Sequence, residues 1–305
     1  MGKIAFVFSG QGAQYSGMGE SLYALGGSAK ALYDACEALR PGTMEQSFRG
    51  DATVLSQTEN TQPCMYLVEM AAALSLSECG IRPEGVAGFS LGEIGALAFG
   101  GAYSPEEGFQ IVTARGRCMA KPQSEKTAMA AVVKLDADTV CAAAAEFDRV
   151  YPVNFNCPGQ VTVSGAAESV DGFAEKIKAL GGRCIPLAVS GAFHSPYMAE
   201  PAAEFGAYLA GVNFKATEIP VYANCTAEPY GTDFAKVLVR QMQSPVLWQK
   251  TVENMAAAGF TDFIEVGPGK TLCGLIRKTL PEARVYAVDS AESLEETVKA
   301  VKDNA

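Results

Sequence analysis

Histidine is nearly missing from this chain of 305 residues, which has only His194. One imidazole and no His/Cys cluster leave little to ligate a transition metal, so no metal site is expected. No C-x-x-C pair occurs, and the nine cysteines are scattered and odd in number. Free, mostly buried thiols in a reducing cytoplasm are the economical expectation. No apolar run approaches the roughly 20 residues that span a bilayer. Met1–Phe8 lacks the shape of a signal peptide and is expected to form a first strand. N-myristoylation is excluded because Phe6 stands where Ser or Thr is needed. Long charge runs, low-complexity tails and solenoid repeats are also absent. The net charge of -10 disfavours nucleic acid and anionic membranes as partners.

Two nucleotide motifs come close and fail. Gly10-Gln11-Gly12 follows the first strand, but Tyr15 occupies the place of the third glycine of a dinucleotide fingerprint. Gly269-Lys270-Thr271 ends like a phosphate loop, but Ile264 stands where that loop needs its first glycine.

What is present is a hydrophobic fraction of 49%, ample for a large core. Gly88-Phe89-Ser90-Leu91-Gly92 follows a short apolar strand and precedes a helix from Glu93. This G-x-S-x-G context is that of a nucleophile elbow, whose flanking glycines permit the tight turn. Taken alone it is equally a Gly-rich turn with a serine N-cap. A helix is expected from Thr61, with Pro63 in its first turn, apolar nearly all round and therefore central. Ser104-Pro105-Glu106-Glu107 opens another helix, which carries Arg115. Arg115 is open between a structural ion pair and a bidentate clamp for a substrate carboxylate.

From Ala128 to Val189 the pattern is strand (128–134), helix (138–147), strand (150–156), strand (160–164), helix (168–179) and strand (183–189). That β-α-β-β-α-β order is ferredoxin-like. The expectation is an α/β protein in two parts. Residues 1–124 and 193–305 form a large α/β-hydrolase-like subdomain with a mostly parallel sheet. Residues 125–192 form a ferredoxin-like small subdomain. Later segments expected are a strand over 219–223, helices over 233–243 and 246–258, a strand over 263–266, a helix over 271–279, a strand over 284–288 and a helix over 291–302.

A serine nucleophile needs a base, and the lone candidate is His194 in the loop Ser190–Pro196. The α/β-hydrolase order, with an acid between serine and a late histidine, fits poorly, since 111 residues follow His194 and no aspartate lies near it.

Taken together the motifs resemble the malonyl-CoA:acyl carrier protein transacylases over essentially the whole chain. The carrying stretches are Gly10–Gln14, Gly88–Glu93, Arg115-Gly116, Asn154–Gln160, Ala192–Ser195, Val239–Met242 and Glu265–Lys270. The resemblance implies malonyl transfer from malonyl-CoA to the phosphopantetheine thiol of holo-acyl carrier protein, by ping-pong chemistry through a malonyl-serine and without a cofactor. It implies Ser90 as nucleophile, His194 as base, and the amides of Gln11 and Leu91 as oxyanion hole. Arg115 would hold the malonyl carboxylate, and Phe193 would narrow the pocket beside the α-carbon. His194 would be oriented by the main-chain carbonyl of Gln241, with Asn224 nearby. Phe89 departs from the histidine usual in that family. Carrier docking is expected on Lys270, Arg277 and Lys278, or on Lys176, Lys178 and Arg183. A cytoplasmic monomer is expected. The competing expectations are a discrete acyltransferase of a polyketide or malonate pathway, a serine hydrolase or thioesterase, and an inactive binding module.

Overall fold

The computed structural model describes residues 2–189 and 191–304, so Met1 and, in the histidine loop, Ser190 lie outside the described residues. The strands are β1 (Lys3–Phe8), β2 (Gly85–Gly88), β3 (Thr127–Val133), β4 (Val150–Cys157), β5 (Gln160–Ala166), β6 (Arg183–Pro186), β7 (Val221–Tyr222), β8 (Phe260–Val266) and β9 (Arg284–Val288).

Five of them form one sheet in the order β7-β2-β1-β8-β9, and every adjacent pair is parallel. β1 is central, which is why Ala5 to Phe8 is an unbroken apolar run with no exposure. Side-chain alternation still divides it. Phe6 and Phe8 join the core built on the helix Thr58–Glu78, while Ala5 and Val7 pack with Trp248 and Phe263 on the opposite face.

The second sheet has the order β4-β5-β3-β6 with antiparallel pairs, and Ala137–Ala144 and Ala167–Ala179 supply its helices. That strand order is the ferredoxin-like one, built from Thr127 to Pro186. Val132, Val161, Val163, Phe173 and Ile177 give it a core of its own. Two backbone hydrogen bonds tie it to the larger part: the Phe155 amide donates to the Val246 carbonyl (2.9 Å), and the Val246 amide to the Val153 carbonyl (2.8 Å).

Several boundaries differ from those the sequence suggests. The central helix starts at Thr58, not Thr61, because the Gln57 carbonyl accepts from the Asn60 and Thr61 amides and closes a turn before Pro63. Pro63 is therefore inside the helix, where it removes one donor. β6 stops at Pro186: the Leu187 amide still donates to the Met129 carbonyl (2.9 Å), but the Val189 amide then bonds back to the Leu187 carbonyl (3.0 Å) and turns the chain away. β7 is only two residues long, and the helix expected from Val246 begins at Trp248. β8 begins at Phe260 rather than Phe263, since Lys3 pairs with Phe260.

One buried group runs against the packing of the core. Glu69, on the central helix, has no exposure, and neither carboxyl oxygen has a hydrogen-bond partner among the described residues. It lies between the elbow helix at Gly95 and the turn at Gly267. Burial pushes its pKa well above the usual 4.5. The folded chain therefore keeps a proton that the unfolded chain loses above about pH 4.5, and stability falls as pH rises. Glu69→Met should stabilise the protein by about 1–3 kcal/mol at pH 8, and by clearly less at pH 5. Thermal unfolding at the two pH values checks this, and an equal gain at both would refute the buried-acid account.

Candidate active site

The site lies at the C-terminal ends of four adjacent parallel strands, where open α/β sheets present their functional loops. β1 runs into Ser9-Gly10-Gln11, β2 into Phe89-Ser90, β7 into Asn224 and β8 into Gly267. Ser90 sits between β2 and the helix Gly92–Phe99 with φ 54°, a left-handed conformation that costs a non-glycine residue energy. The two glycines of the elbow are needed for close approach. A β-carbon on Gly88 would come within 2.0 Å of the Gly92 carbonyl group, and one on Gly92 within 2.3 Å of the Phe8 carbonyl oxygen.

His194 is also left-handed, with φ 61°, and is 4% exposed. Its Nδ1 lies 2.9 Å from the Gln241 carbonyl oxygen, and its Nε2 lies 2.8 Å from Ser90 Oγ. A carbonyl can only accept, so Nδ1 carries the proton and Nε2 presents its lone pair to the serine hydroxyl. That is the tautomer a general base requires. Among the described residues no carboxylate bonds to His194, so the place an acid would take behind the imidazole is held by a main-chain carbonyl.

Arg115 has no exposure. One Nη donates to Ser90 Oγ (3.1 Å) and to Gln241 Oε1 (2.9 Å), and the other donates to Gln62 Oε1 (3.0 Å). Among the described residues it makes no ion pair, so the structural ion pair that its sequence position also allowed is absent. Burial lowers its pKa to about 10, and the carboxylate of Glu93 opposes the shift.

Gln241 joins these parts. Its carbonyl holds His194, its amide oxygen accepts from Arg115, and its amide nitrogen donates to the Ser90 carbonyl (2.7 Å) and to Glu93 (3.2 Å). Asn224 has a different role from the one the resemblance implied. It does not touch His194. Its Oδ1 accepts from the Ser90 amide (2.7 Å) and its Nδ2 donates to the Gly88 carbonyl (2.5 Å), so it clamps the elbow backbone. The sequence reading also missed Gln62 and Glu93 as members of the site. Glu93 follows the pentapeptide directly, and its fit to the helix N-terminus hid the network it anchors.

The amides of Gln11 and Leu91 donate to nothing among the described residues, as an oxyanion hole requires before substrate arrives. A cavity of about 90 Å³ is lined by Gln11, Gln62, Ser90, Met119, Phe193 and His194. A second, of about 220 Å³, runs outward between the Ser9–Ala13 loop, the small sheet and the helix Thr271–Thr279. Phe89, Gln11, Asn154 and Leu187 line both. Phe89 packs edge-on against Trp248 with ring centroids 5.6 Å apart. Its ring is thus a wall between the cavities and makes no hydrogen bond to the serine.

A profile of the acyl transferase domain family matches residues 5–304. The chain belongs to this acyl transferase family. It is 38% identical, over the full length of both chains, to a malonyl CoA-acyl carrier protein transacylase of Bacillus subtilis. The structure superposes on a malonyl CoA-acyl carrier protein transacylase of Clostridium perfringens with a TM-score of 0.95, at 31% identity, covering 99% of this chain and 98% of the other. A malonyl-transacylase solved with a type II polyketide synthase acyl-carrier protein gives a TM-score of 0.93, at 31% identity, covering 98% and 99%. In this acyl transferase Ser90 lies within hydrogen-bond reach of both His194 and Arg115, and Met129 and Asn154 of the small sheet line the same cavity.

Burial and, after it, the Arg115 charge together lower the His194 pKa from 6.5 to about 4. The imidazole is therefore neutral, and able to act as base, throughout mildly acidic and neutral pH. With one histidine in the chain, its titration by NMR is unambiguous. Arg115→Met should raise the pKa while leaving it below 6.5, because burial remains. A wild-type value near 6.5, or no change in the variant, would contradict this electrostatic picture.

Proposed function

We propose that this acyl transferase moves a malonyl group from malonyl-CoA to the phosphopantetheine thiol of a holo-acyl carrier protein, as an acyl-carrier-protein S-malonyltransferase. The observation that carries the proposal is Arg115, a buried guanidinium 3.1 Å from the nucleophile with no carboxylate of its own. A planar fork in a dry chamber suits an acyl group that ends in a carboxylate. A thioesterase for simple acyl groups would have no use for it.

In the forward half, the Ser90 hydroxyl loses its proton to His194 Nε2 as its oxygen attacks the thioester carbonyl. The oxyanion forms against the Gln11 and Leu91 amides, and losing one such donor would cost roughly 10²–10³ in rate. The C–S bond breaks, His194 returns the proton to the departing sulfur, and the malonyl ester remains on Ser90. The carrier's thiol then enters and the same steps run in reverse. The reaction so written uses no cofactor. The outer cavity suits the pantetheine arm that both thiols share. Asn154 and Asn156 line it, and among the described residues the Oδ1 of each has no hydrogen-bond partner, so a small rotation of either side chain would let it accept from an amide of the arm. Phe193, 7% exposed, faces the inner cavity beside the acyl carbon, where one extra methyl would be discriminated by only about 1–3 kcal/mol. A cytoplasmic setting agrees with nine free cysteines.

Mixing the protein with malonyl-CoA should add one malonyl mass on Ser90, and holo-carrier protein should then remove it. Intact-mass spectrometry reads both steps. No adduct, or an adduct that persists in Ser90→Ala, would overturn the mechanism. In the same assay Arg115→Ala should lose the preference for malonyl-CoA over acetyl-CoA.

Of the two basic clusters, the geometry favours Lys270, Arg277 and Lys278. They are exposed, they pair with no carboxylate among the described residues, and they sit at the N-cap (Lys270) and in the last turn (Arg277, Lys278) of the helix whose Thr271 and Leu272 line the outer cavity. Lys176 is held by Glu146 at 2.8 Å, which weakens the second cluster. Reversing the charge of Lys270, Arg277 and Lys278 should slow transfer to carrier protein at least tenfold and leave acylation by malonyl-CoA within about twofold. Slowing by reversal of Lys178 and Arg183 instead would move the dock to the small subdomain.

A further inference from the structure

Arg115 has lost its hydration, and in the empty site its hydrogen-bond acceptors are neutral: two glutamine amides and a hydroxyl. A buried cation so placed needs a counter-charge nearby. The nearest one linked to it is Glu93, which also has no exposure. A single residue separates them, since Gln241 accepts from Arg115 at 2.9 Å and donates to Glu93 Oε2 at 3.2 Å. The other bonds to Glu93 come from the Asn224 amide (3.0 Å) and the Tyr230 hydroxyl.

We propose that Glu93 is the resident counter-charge of Arg115, and that it takes up a proton when the malonyl carboxylate seats on Arg115. The inference rests on the malonyl reading of that arginine. A second anion in the chamber ends the need for the first. With the Arg115 charge compensated by substrate, the desolvation that Glu93 already bears favours its neutral form. A protonated Glu93 still accepts from the Asn224 amide and the Gln241 side chain, so the elbow and His194 keep their supports. Malonyl loading is then coupled to a proton, and an acyl group without a carboxylate is not.

The groups that face Glu93 are few. Arg115 comes from the helix Pro105–Met119 and Gln241 from the helix Phe234–Met242. Tyr103 follows the elbow helix, and Cys225 and Tyr230 follow β7. Burial holds both tyrosines well above 10 and Cys225 at about 11, so none of these ionises near neutrality. Glu93 itself is raised from 4.5 to about 7, chiefly by burial, with the Tyr230, Asn224 and Gln241 hydrogen bonds and the Arg115 charge opposing. Its ionised form is therefore populated at mildly alkaline pH before substrate binds, and substrate binding raises its pKa further. His194, which the Arg115 charge also depresses, would take up protons only in a window beginning near pH 4.

The acylation itself is proton-neutral, because the Ser90 proton leaves on the CoA thiol. Any net uptake therefore reports a protein group, after correction for the ionised fraction of free CoA. The experiment mixes wild-type protein with excess malonyl-CoA in weak buffer containing a pH indicator, and counts protons per adduct found by intact mass. The expected result is a clear uptake of up to one proton per adduct at about pH 7.5, falling toward zero at about pH 5.5. Glu93→Gln, which keeps the shape, should show none at either pH. An adduct formed without uptake, or uptake that persists in Glu93→Gln, overturns the proposal and leaves the transfer reading intact. No adduct at all sinks the transfer reading instead. Should Glu93→Gln fail to fold, the infrared difference spectrum of the wild type decides. Malonylation must then produce a protonated-carboxyl band that shifts in heavy water, and its absence refutes the proposal.

Discussion

Burying Arg115 is the act on which the site depends. A guanidinium out of water is held only where acceptors surround it, and those found here are amides and a hydroxyl. Gln241 is the essential one. Its side chain accepts from Arg115 and donates to Glu93 and to the Ser90 carbonyl, and its carbonyl fixes the His194 tautomer. Ser90, His194 and Arg115 are thus referenced to one residue on one helix. That is how groups drawn from widely separated positions in the chain are held in one geometry.

The fold makes this convergence possible. Parallel strands end on the same side, so β1, β2 and β7 deliver the oxyanion loop, the elbow and Asn224 to one place. The small ferredoxin-like unit enters between the elbow and His194, and the chain returns from it directly into the histidine loop. The Ser164 hydroxyl donates to the Phe193 carbonyl at 3.2 Å, so a strand of the small sheet steadies the residue before the base. The insertion therefore covers the cleft and helps place the histidine.

Ser90 and His194 were legible because their alternatives were few: one elbow and one imidazole. The ferredoxin-like unit was legible because its strands alternate and its helices have caps or glycines at their ends. Arg115 was ambiguous, since periodicity tells which helical face a residue occupies and not what lies across from it. The part of Gln241 that orients the base is a carbonyl, which every residue has, so its type carried no signal. Glu93 was hidden by plausibility: an acid in the first turn of a helix already has a local reason to be there. Asn224 was placed near the right atoms and given the wrong partner, because only coordinates distinguish a clamp on Gly88 and Ser90 from a support for His194.

The carbonyl in place of an acid also suits the chemistry. A carboxylate behind His194 would stabilise the imidazolium and make it a weaker proton donor. Gln241 offers only a dipole, and Arg115 adds a repulsive charge, so burial and charge together leave an imidazole with a pKa of about 4. Such a group is a modest base, and Arg115 offsets that by donating to the serine oxygen as it loses its proton. Once protonated, His194 is a strong acid, and the group it must protonate is a thiolate. Thiolates are good leaving groups, so the balance between taking and returning the proton can sit low without stalling either half-reaction. Exchange between a thioester and an oxygen ester has to run in both directions on one serine. A base that holds its proton only briefly meets that requirement better than one locked to an aspartate.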